Sequence, residues 1–159
     1  MPIGESELPS YAGMNQEATI VWRTFLRDYE DQFTSFSYNV RVGRGLSPGA
    51  NANEATVAMW RAVTTKRIDA VGERLGQTWV FEVDPRPGLR ALGQVNGYMV
   101  LLPSYYQAQS TIQGAVVCTY LGYDMRQVLR AHNILYFQYP PLKPPRLPPT
   151  FLPTQKAAL

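Results

Sequence analysis

The feature that most constrains the fold is a pair of β-strand patterns separated by a very short turn. Residues 67–73 and 78–84 both have the composition of strands, and Leu75-Gly76 lies between them. Two strands joined by so short a connection pair as an antiparallel hairpin. Pro85 and Pro87 then stop the second strand. Any fold of this chain must therefore contain this hairpin within a sheet.

The patterns on either side of the hairpin indicate the fold class. We expect helices at about 16–33, 89–102 and 124–131, and further strands at 36–42, 115–121 and 134–139. Asn15 and Asp124 are the expected helix caps. Strands that alternate with helices in the second half of the chain imply parallel crossovers. We predict an α/β fold with a central mixed sheet flanked by helices.

The chain divides into three predicted parts. Residues 1–14 form an irregular N-terminal arm, 15–139 a single domain, and 140–159 a tail that contains seven of the thirteen prolines. Such a tail favours extended polyproline geometry and forms no core of its own. Within the domain, 53–66 suits either a short helix or an extended segment.

Charge and cysteine content exclude several classes of site. The net charge is +3, and Lys143, Arg146 and Lys156 of the tail account for all of it, so the body balances twelve basic against twelve acidic residues. A broad nucleic-acid surface usually shows a basic surplus, which the body as a whole lacks, although a local patch stays open. Arg41 and Arg44 could contact phosphates, but exposed arginines at strand ends usually have no specific role. One cysteine allows no internal disulfide and no cysteine cluster.

The ends and the hydropathy of the chain bear on its location. No run of about 18 apolar residues exists, so we expect no membrane span. The first residues lack the basic start and apolar block of a signal peptide. We expect intracellular synthesis.

Three acidic residues carry the most chemical information. Glu82 and Asp84 lie two apart on one strand and so point to one face, and Asp69 lies on the neighbouring strand. Carboxylates this close resist simultaneous ionisation, so either a divalent cation balances them or one keeps its proton. Oxygen ligands of this kind suit magnesium, calcium or manganese.

These motifs resemble the PD-(D/E)XK nuclease superfamily, in particular its RecB-like branch. The resemblance covers roughly 16–139 and is carried by R-I-D-A-V at 67–71, F-E-V-D at 81–84, and Gln94-x-x-x-Tyr98. It implies a restriction-endonuclease-like core and magnesium or manganese bound by Asp69 and Glu82. It also implies site roles for Gln94, Tyr98 and, on the first helix, Glu17.

One position departs from the family pattern. The lysine that follows the second acid by two residues is Asp84 in this chain. Losing one group that stabilises the transition state costs about 10²–10³ in rate, and a charge reversal should cost more. Arg86 or Arg90 is a candidate to replace the lysine. We therefore expect the protein not to be an enzyme and to need no cofactor, with magnesium or manganese required only if the site is active.

Most of the candidate site residues also have an interpretation in which they are purely structural. Glu82 and Asp84 could be solvated residues at a strand end, and Glu17 an ordinary glutamate in a first helical turn. Gln94 and Tyr98 could be structural hydrogen-bonding partners, because Gly93 and Gly97 beside them suggest close backbone packing. These alternatives are left open.

Three functions follow. The first is a non-catalytic assembly protein, in our specific hypothesis a head-to-tail connector of a tailed-phage virion, homo-oligomeric and in contact with other chains. The second is an active Mg- or Mn-dependent DNA endonuclease or resolvase. The third is an adaptor that binds a partner through its tail. The tail residues predicted to make such contacts are Pro140, Pro141, Lys143, Pro144, Pro145, Arg146, Pro148, Pro149 and Phe151.

Overall fold

A computed structural model describes residues 4–141 and places helices on both faces of one five-stranded sheet. The helices are α1 (Gln16–Tyr29), α2 (Glu54–Thr64), α3 (Leu89–Leu101) and α4 (Tyr123–Ala131). The strands are β1 (Ser35–Val42), β2 (Lys66–Arg74), β3 (Gln77–Val83), β4 (Thr111–Cys118) and β5 (Leu135–Gln138). Short 3-10 turns occupy Glu5–Glu7, Glu30–Gln32 and Leu102–Ser104.

The sheet is mixed, and its strands lie in sequence order. β1, β2 and β3 form an antiparallel meander, whereas β4 runs parallel to β3 and β5 parallel to β4. Each parallel step needs a crossover, which α3 and α4 provide. The predicted α/β class, with a mixed sheet flanked by helices, is confirmed.

The turn of the central hairpin has the predicted two-residue form. Leu75 and Gly76 both have positive φ, 47° and 74°, and Arg74 pairs with Gln77 on either side of them. Two left-handed residues give a tight turn whose twist matches that of the strands. This turn fixes the register of β2 against β3, and so the relative positions of the acidic residues that the two strands carry.

Each face of the sheet has its own core. On the α1 face, Trp22 stacks on Phe25 and meets Phe81 edge-on, with ring centroids 5.0 Å apart in both pairs. The opposite face is aliphatic, with α3 and α4 packed on β2 to β4 through residues such as Val80, Val95 and Leu129. The acidic residues therefore lie in a sheet that is covered on both sides.

Several element boundaries differ from the prediction. α1 ends at Tyr29, where the chain tightens into a 3-10 turn, and not at residue 33. β4 lies at Thr111–Cys118, not at 115–121, and it ends at Cys118 because the amides of Thr119 and Tyr120 both donate to the carbonyl of Pro85. Gly122, not Asp124, is the N-cap of α4, and it makes no side-chain capping bond.

The ambiguous segment and the N-terminal arm also become clear. Residues 53–66 contain a helix, α2, whose first turn is capped by the Asn53 side chain (2.8 Å to the amide of Thr56). The arm is more ordered than predicted: Tyr11 is buried, and its hydroxyl donates to the carbonyl of Glu5 at 2.7 Å. The arm is thus packed against the domain.

The predicted tail lies almost entirely outside the described residues. Pro140 and Pro141 are exposed. The other predicted contact residues, at 143–146, 148, 149 and 151, are not described, so the structure does not test them. Within 4–141, no helix combines the length and apolar character needed to cross a membrane.

Candidate functional site

Asp69 lies where β2 and β3 separate. The ladder between the two strands ends at the pair Ala70 and Phe81, and beyond it an Asp69 carboxylate oxygen accepts a hydrogen bond from the amide of Val83 at 2.8 Å. On the other side, Asn39 of β1 has a φ of 53° and pairs with no β2 residue, although its neighbours Tyr38 and Val40 do. The side chain of Asp69 therefore replaces a backbone bond of the ladder.

Glu82 is the buried member of the acidic cluster. Its side chain lies on the aliphatic face beside Val80, the residue is 7% exposed, and one carboxylate oxygen has no hydrogen-bond partner within 4–141. Burial above all, together with the charges of Asp69 and Asp84, raises the pKa of Glu82 to about 8, although Arg90 opposes the rise. A carboxyl group in this position holds its proton at neutral pH.

Asp69 and Asp84 complete the cluster. Burial, with a smaller contribution from the charge of Asp84, raises the pKa of Asp69 to about 6 against the lowering effect of the Val83 amide. Asp84 is only partly exposed, and its carboxylate accepts a hydrogen bond from the amide of Arg86 at 2.9 Å. The structure brings the three predicted acids together, and the burial of Glu82 argues against a solvated strand end.

Gln94 and Tyr98 lie beside these acids on α3. The Gln94 side-chain amide donates to the Tyr98 hydroxyl at 3.0 Å. Tyr98 is buried, and its pKa is raised by burial and by the charges of Glu82 and Asp69. The pair forms part of an open cleft of about 370 Å³. The residues that line this cleft are Lys66, Arg90, Gly93, Gln94, Gly97, Tyr98 and Leu101.

The predicted role of Gly93 and Gly97 is wrong. A Cβ atom at either position would meet no heavy atom within 4 Å, so neither glycine allows close packing. The close approach in this region occurs at Gly114 of β4, where a Cβ would lie 2.5 Å from a methyl carbon of Val95. The two α3 glycines instead leave the cleft wide.

Glu17 lies apart from the acidic cluster. Its carboxylate is 3.7 Å from the guanidinium of Arg86, and both side chains are largely exposed. The guanidinium of Arg86 also lies over the ring of Tyr120, 5.3 Å from its centroid. Arg86 is thus directed towards α1 and Tyr120, and of the two candidate replacements for the lysine only Arg90 acts on Glu82.

Lys66 is a residue of the cleft that the sequence did not single out. It begins β2 and lines the cleft together with Gln94 and Tyr98. The motif spacing gives no signal for it, because the packing of α3 against β2 alone brings the two together. A cation therefore lines the same cleft as Gln94 and Tyr98, but it does not lie two residues after Glu82, where the resemblance places a lysine.

The donor chemistry of the site suits a hard divalent cation. Asp69 and Glu82 offer oxygen atoms only, and Glu82 has a buried oxygen without a partner within 4–141. Magnesium is often held by one or two carboxylates together with its own waters. Across 4–141, however, no group of three or more His, Cys, Asp or Glu side chains is arranged to hold a metal ion. The pair suits a hydrated cation, and binding stays a prediction.

Comparison with known proteins gives structural similarity alone. No family model matches the sequence, and no curated protein matches it. A repair endonuclease from Pyrococcus abyssi is 16% identical, with a TM-score of 0.45 over 83% of this chain and 50% of that one. A structure of an EndoMS–dsDNA complex is 14% identical, with a TM-score of 0.46 over 86% of this chain and 51% of that one. The chain spans about half the length of these structures.

The fold is restriction-endonuclease-like. This assignment follows from the chain's own topology: a helix, an antiparallel three-stranded meander with α2 inserted between β1 and β2, and two parallel crossovers. The acids lie where β2 and β3 of that core separate. Because function belongs to sites and not to folds, the chemistry must be argued from these side chains.

Proposed function

We propose that this chain is a nuclease-fold protein that does not hydrolyse phosphodiester bonds and acts as a binding or assembly component. The observation that supports it is the end of β3, where Asp84 stands two residues after the buried Glu82, beside Asp69. Hydrolysis there would need a cation to balance the charge that builds on the phosphate.

The electrostatics of the cluster oppose hydrolysis in two ways. An anion at residue 84 repels the negative charge of a phosphate and of its transition state. A protonated Glu82 must also lose its proton before it can ligate a metal, because ligands bind in the deprotonated form. Both effects work against the same step.

Plasmid relaxation tests this proposal. Purified wild-type protein is incubated with supercoiled DNA and either Mg²⁺ or Mn²⁺, and we expect no nicking above the buffer control. Asp84→Asn removes the charge without supplying a cation and should stay inactive, whereas Asp84→Lys should introduce measurable nicking. Nicking by the wild type that Asp69→Ala abolishes would refute the proposal.

One observation favours a second candidate, an active metal-dependent endonuclease or resolvase. Lys66 and Arg90 line the same cleft as Gln94 and Tyr98, so a cation is available from another element. In that case Asp69 and Glu82 would hold magnesium or manganese, which would act as a Lewis acid. Lys66→Gln should then abolish nicking, while the matched change Arg27→Gln on the exposed surface of α1 should not.

The finer assembly roles stay predictions. The connector hypothesis and the tail-mediated adaptor hypothesis both depend on 140–159, of which only Pro140 and Pro141 are described. Light scattering of the full chain after size exclusion would give the copy number. A monomer at micromolar concentration would count against a self-assembled ring.

A further inference from the structure

The basic residues of the described chain are concentrated at one end of the fold. Between 40 and 68 lie five of the twelve basic residues of 4–141, but only one acid, Glu54. The five are Arg41, Arg44, Arg61, Lys66 and Arg67, and all are exposed. The remainder of 4–141 has an excess of acidic residues, so the two regions cancel in the total charge of the body.

These cations surround α2 in a region that we call the α2 lobe (residues 41–67 with Tyr105), although Lys66 and Arg67, as consecutive residues of β2, point to opposite faces of the sheet. Arg41 and Arg67 are directly opposite each other on β1 and β2. The Arg67 guanidinium lies against α2, 3.4 Å from the carbonyl of Ala62. Arg44 and Arg61 line one cavity of about 370 Å³ together with Tyr105. The lobe therefore connects the sheet edge, the loop after β1 and the helix.

Nothing within the described chain neutralises this charge. The single salt bridge of 4–141 joins Arg86 to Glu17, outside the lobe. Like charges directly opposite on paired strands, as at Arg41 and Arg67, destabilise a sheet. An anionic partner would relieve that repulsion, whereas a second copy of the same surface would increase it.

The lobe also presents aromatic and apolar groups between its cations. α2 has no buried residue, and Met59, Trp60 and Val63 are 58%, 38% and 73% exposed. Trp60 is the exposed tryptophan of the chain, because Trp22 and Trp79 are buried. Tyr105 is 44% exposed. Cations interleaved with exposed aromatic rings match a strand of phosphates with unpaired bases, on which such rings stack.

We propose that the α2 lobe binds single-stranded nucleic acid, with Arg44 and Arg61 on the phosphates and Trp60 stacked on a base. The surface is separate from the acidic cluster, although Lys66 also lines the cleft beside it. Binding here does not depend on whether the acidic cluster cleaves, so the two proposals can fail independently.

Fluorescence anisotropy of the full chain with labelled oligo(dT) in EDTA tests the phosphate contacts. Each lost contact should reduce the slope of log K against log salt concentration by about 0.7. We expect this reduction in Arg44→Gln and in Arg61→Gln. Arg27→Gln removes the same charge from an exposed site on α1 and should leave the slope unchanged. If all three changes reduce the slope equally, the proposal is wrong, because the oligonucleotide is then attracted by the total charge of the protein and not by the lobe.

Tryptophan fluorescence tests the stacking contact. Oligo(dT) should quench the wild type, and Trp60→Phe should lose most of that quenching while retaining affinity. Trp60→Ala should weaken binding at least fivefold, with a smaller effect on duplex DNA. Quenching that survives in Trp60→Phe would contradict the assignment of the base contact to this residue.

One further variant and one competitor distinguish the remaining explanations. Neutralising Lys143, Arg146 and Lys156 together should leave the affinity within about twofold. If that change abolishes binding and the lobe variants do not, the tail is the nucleic-acid site and the proposal is wrong. Unlabelled polyglutamate provides the last test. If it displaces the labelled oligo(dT) as well as unlabelled oligo(dT) of equal charge does, the ligand of the lobe is an acidic peptide and the proposal is wrong.

Discussion

At the scale of single residues, the burial of Glu82 dominates the behaviour of the acidic cluster. A carboxyl group that is 7% exposed, with one oxygen unpartnered within 4–141 and two acids nearby, is more stable neutral than ionised. The pKa values of Glu82 and Asp69 are both raised. At a pH between the ordinary and the raised values, the folded cluster therefore binds protons that the same residues release in the unfolded chain. The cluster is thus a source of pH-dependent stability.

The free energy of unfolding should fall as pH rises from about 4.5 to about 8. The ordinary pKa of Glu82 is 4.5 and its folded value is about 8. Between them the folded state binds more protons than the unfolded state, so stability is fully present below this window and decreases across it. The total change is on the order of a few kcal/mol. Urea unfolding at pH 5, 6, 7 and 8.5 measures it.

Glu82→Gln should remove the part of this dependence between pH 6 and 8, because the Asp69 titration near 6 remains. The exposed Glu7 provides the control, since Glu7→Gln should leave the profile intact. A wild-type stability that is flat or rises over this range would show that Glu82 is ionised in the folded state.

At the scale of elements, two helices with the same type of cap should respond differently when it is lost. Asn15 and Asn53 accept bonds from the amides of Ala18 and Thr56 at 2.9 and 2.8 Å. α1 carries a buried aromatic face, whereas α2 has no buried residue. Asn15→Ala should lower global stability by about 1 kcal/mol. Asn53→Ala should reduce hydrogen-exchange protection of α2 only; an equal global loss would contradict the peripheral role of α2.

Replacing two glycines of neighbouring elements by alanine should change the stability of the protein in opposite directions. A Cβ at Gly114 would lie 2.5 Å from a Val95 methyl carbon and 2.8 Å from the sulfur of Met99, so Gly114→Ala should destabilise by about 1–3 kcal/mol. Gly97 has open space and lies within α3, so Gly97→Ala should stabilise by up to about 1 kcal/mol. Thermal unfolding of both variants checks the pair. Destabilisation by Gly97→Ala would mean that the cleft is narrower than described.

The elements that sequence reasoning predicted correctly have local signals. The hairpin turn at Leu75-Gly76 and the Asn15 cap depend on neighbouring residues, and both are confirmed. The end of β4 depends on the carbonyl of Pro85, which is distant in sequence, so the local pattern did not predict it. α2 was ambiguous because it has no core face. Lys66 enters the cleft only through tertiary packing, and no spacing rule could indicate it.

At the scale of the whole molecule, charge is distributed unevenly although the body balances. The lobe at 41–67 is basic, and the acids are concentrated elsewhere. Total charge therefore underestimated the capacity of the surface to bind a polyanion. Composition averages over the fold, whereas a partner meets one surface at a time.

Removal of 142–159 should leave the body stable. The three core clusters are built from residues up to Tyr139, whose amide bonds to the carbonyl of Cys118 at 2.8 Å. Differential scanning calorimetry should give a Tm within about 2 °C of that of the full chain, since a loss of 1 kcal/mol shifts Tm by a few degrees. A larger decrease would mean that these residues pack on their own domain.

The most direct test of the central claim is a carbon-13 NMR titration of the side-chain carboxyl of Glu82. Buried beside two other acids, this group should titrate with a pKa near 8, and Asp84→Asn should lower that value. A pKa near 4.5 that Asp84→Asn leaves unchanged would show that the cluster is ionised at neutral pH and that its charges are not coupled. It would thereby remove the proton on Glu82 from the account and leave the anion at residue 84 as the one electrostatic argument against hydrolysis.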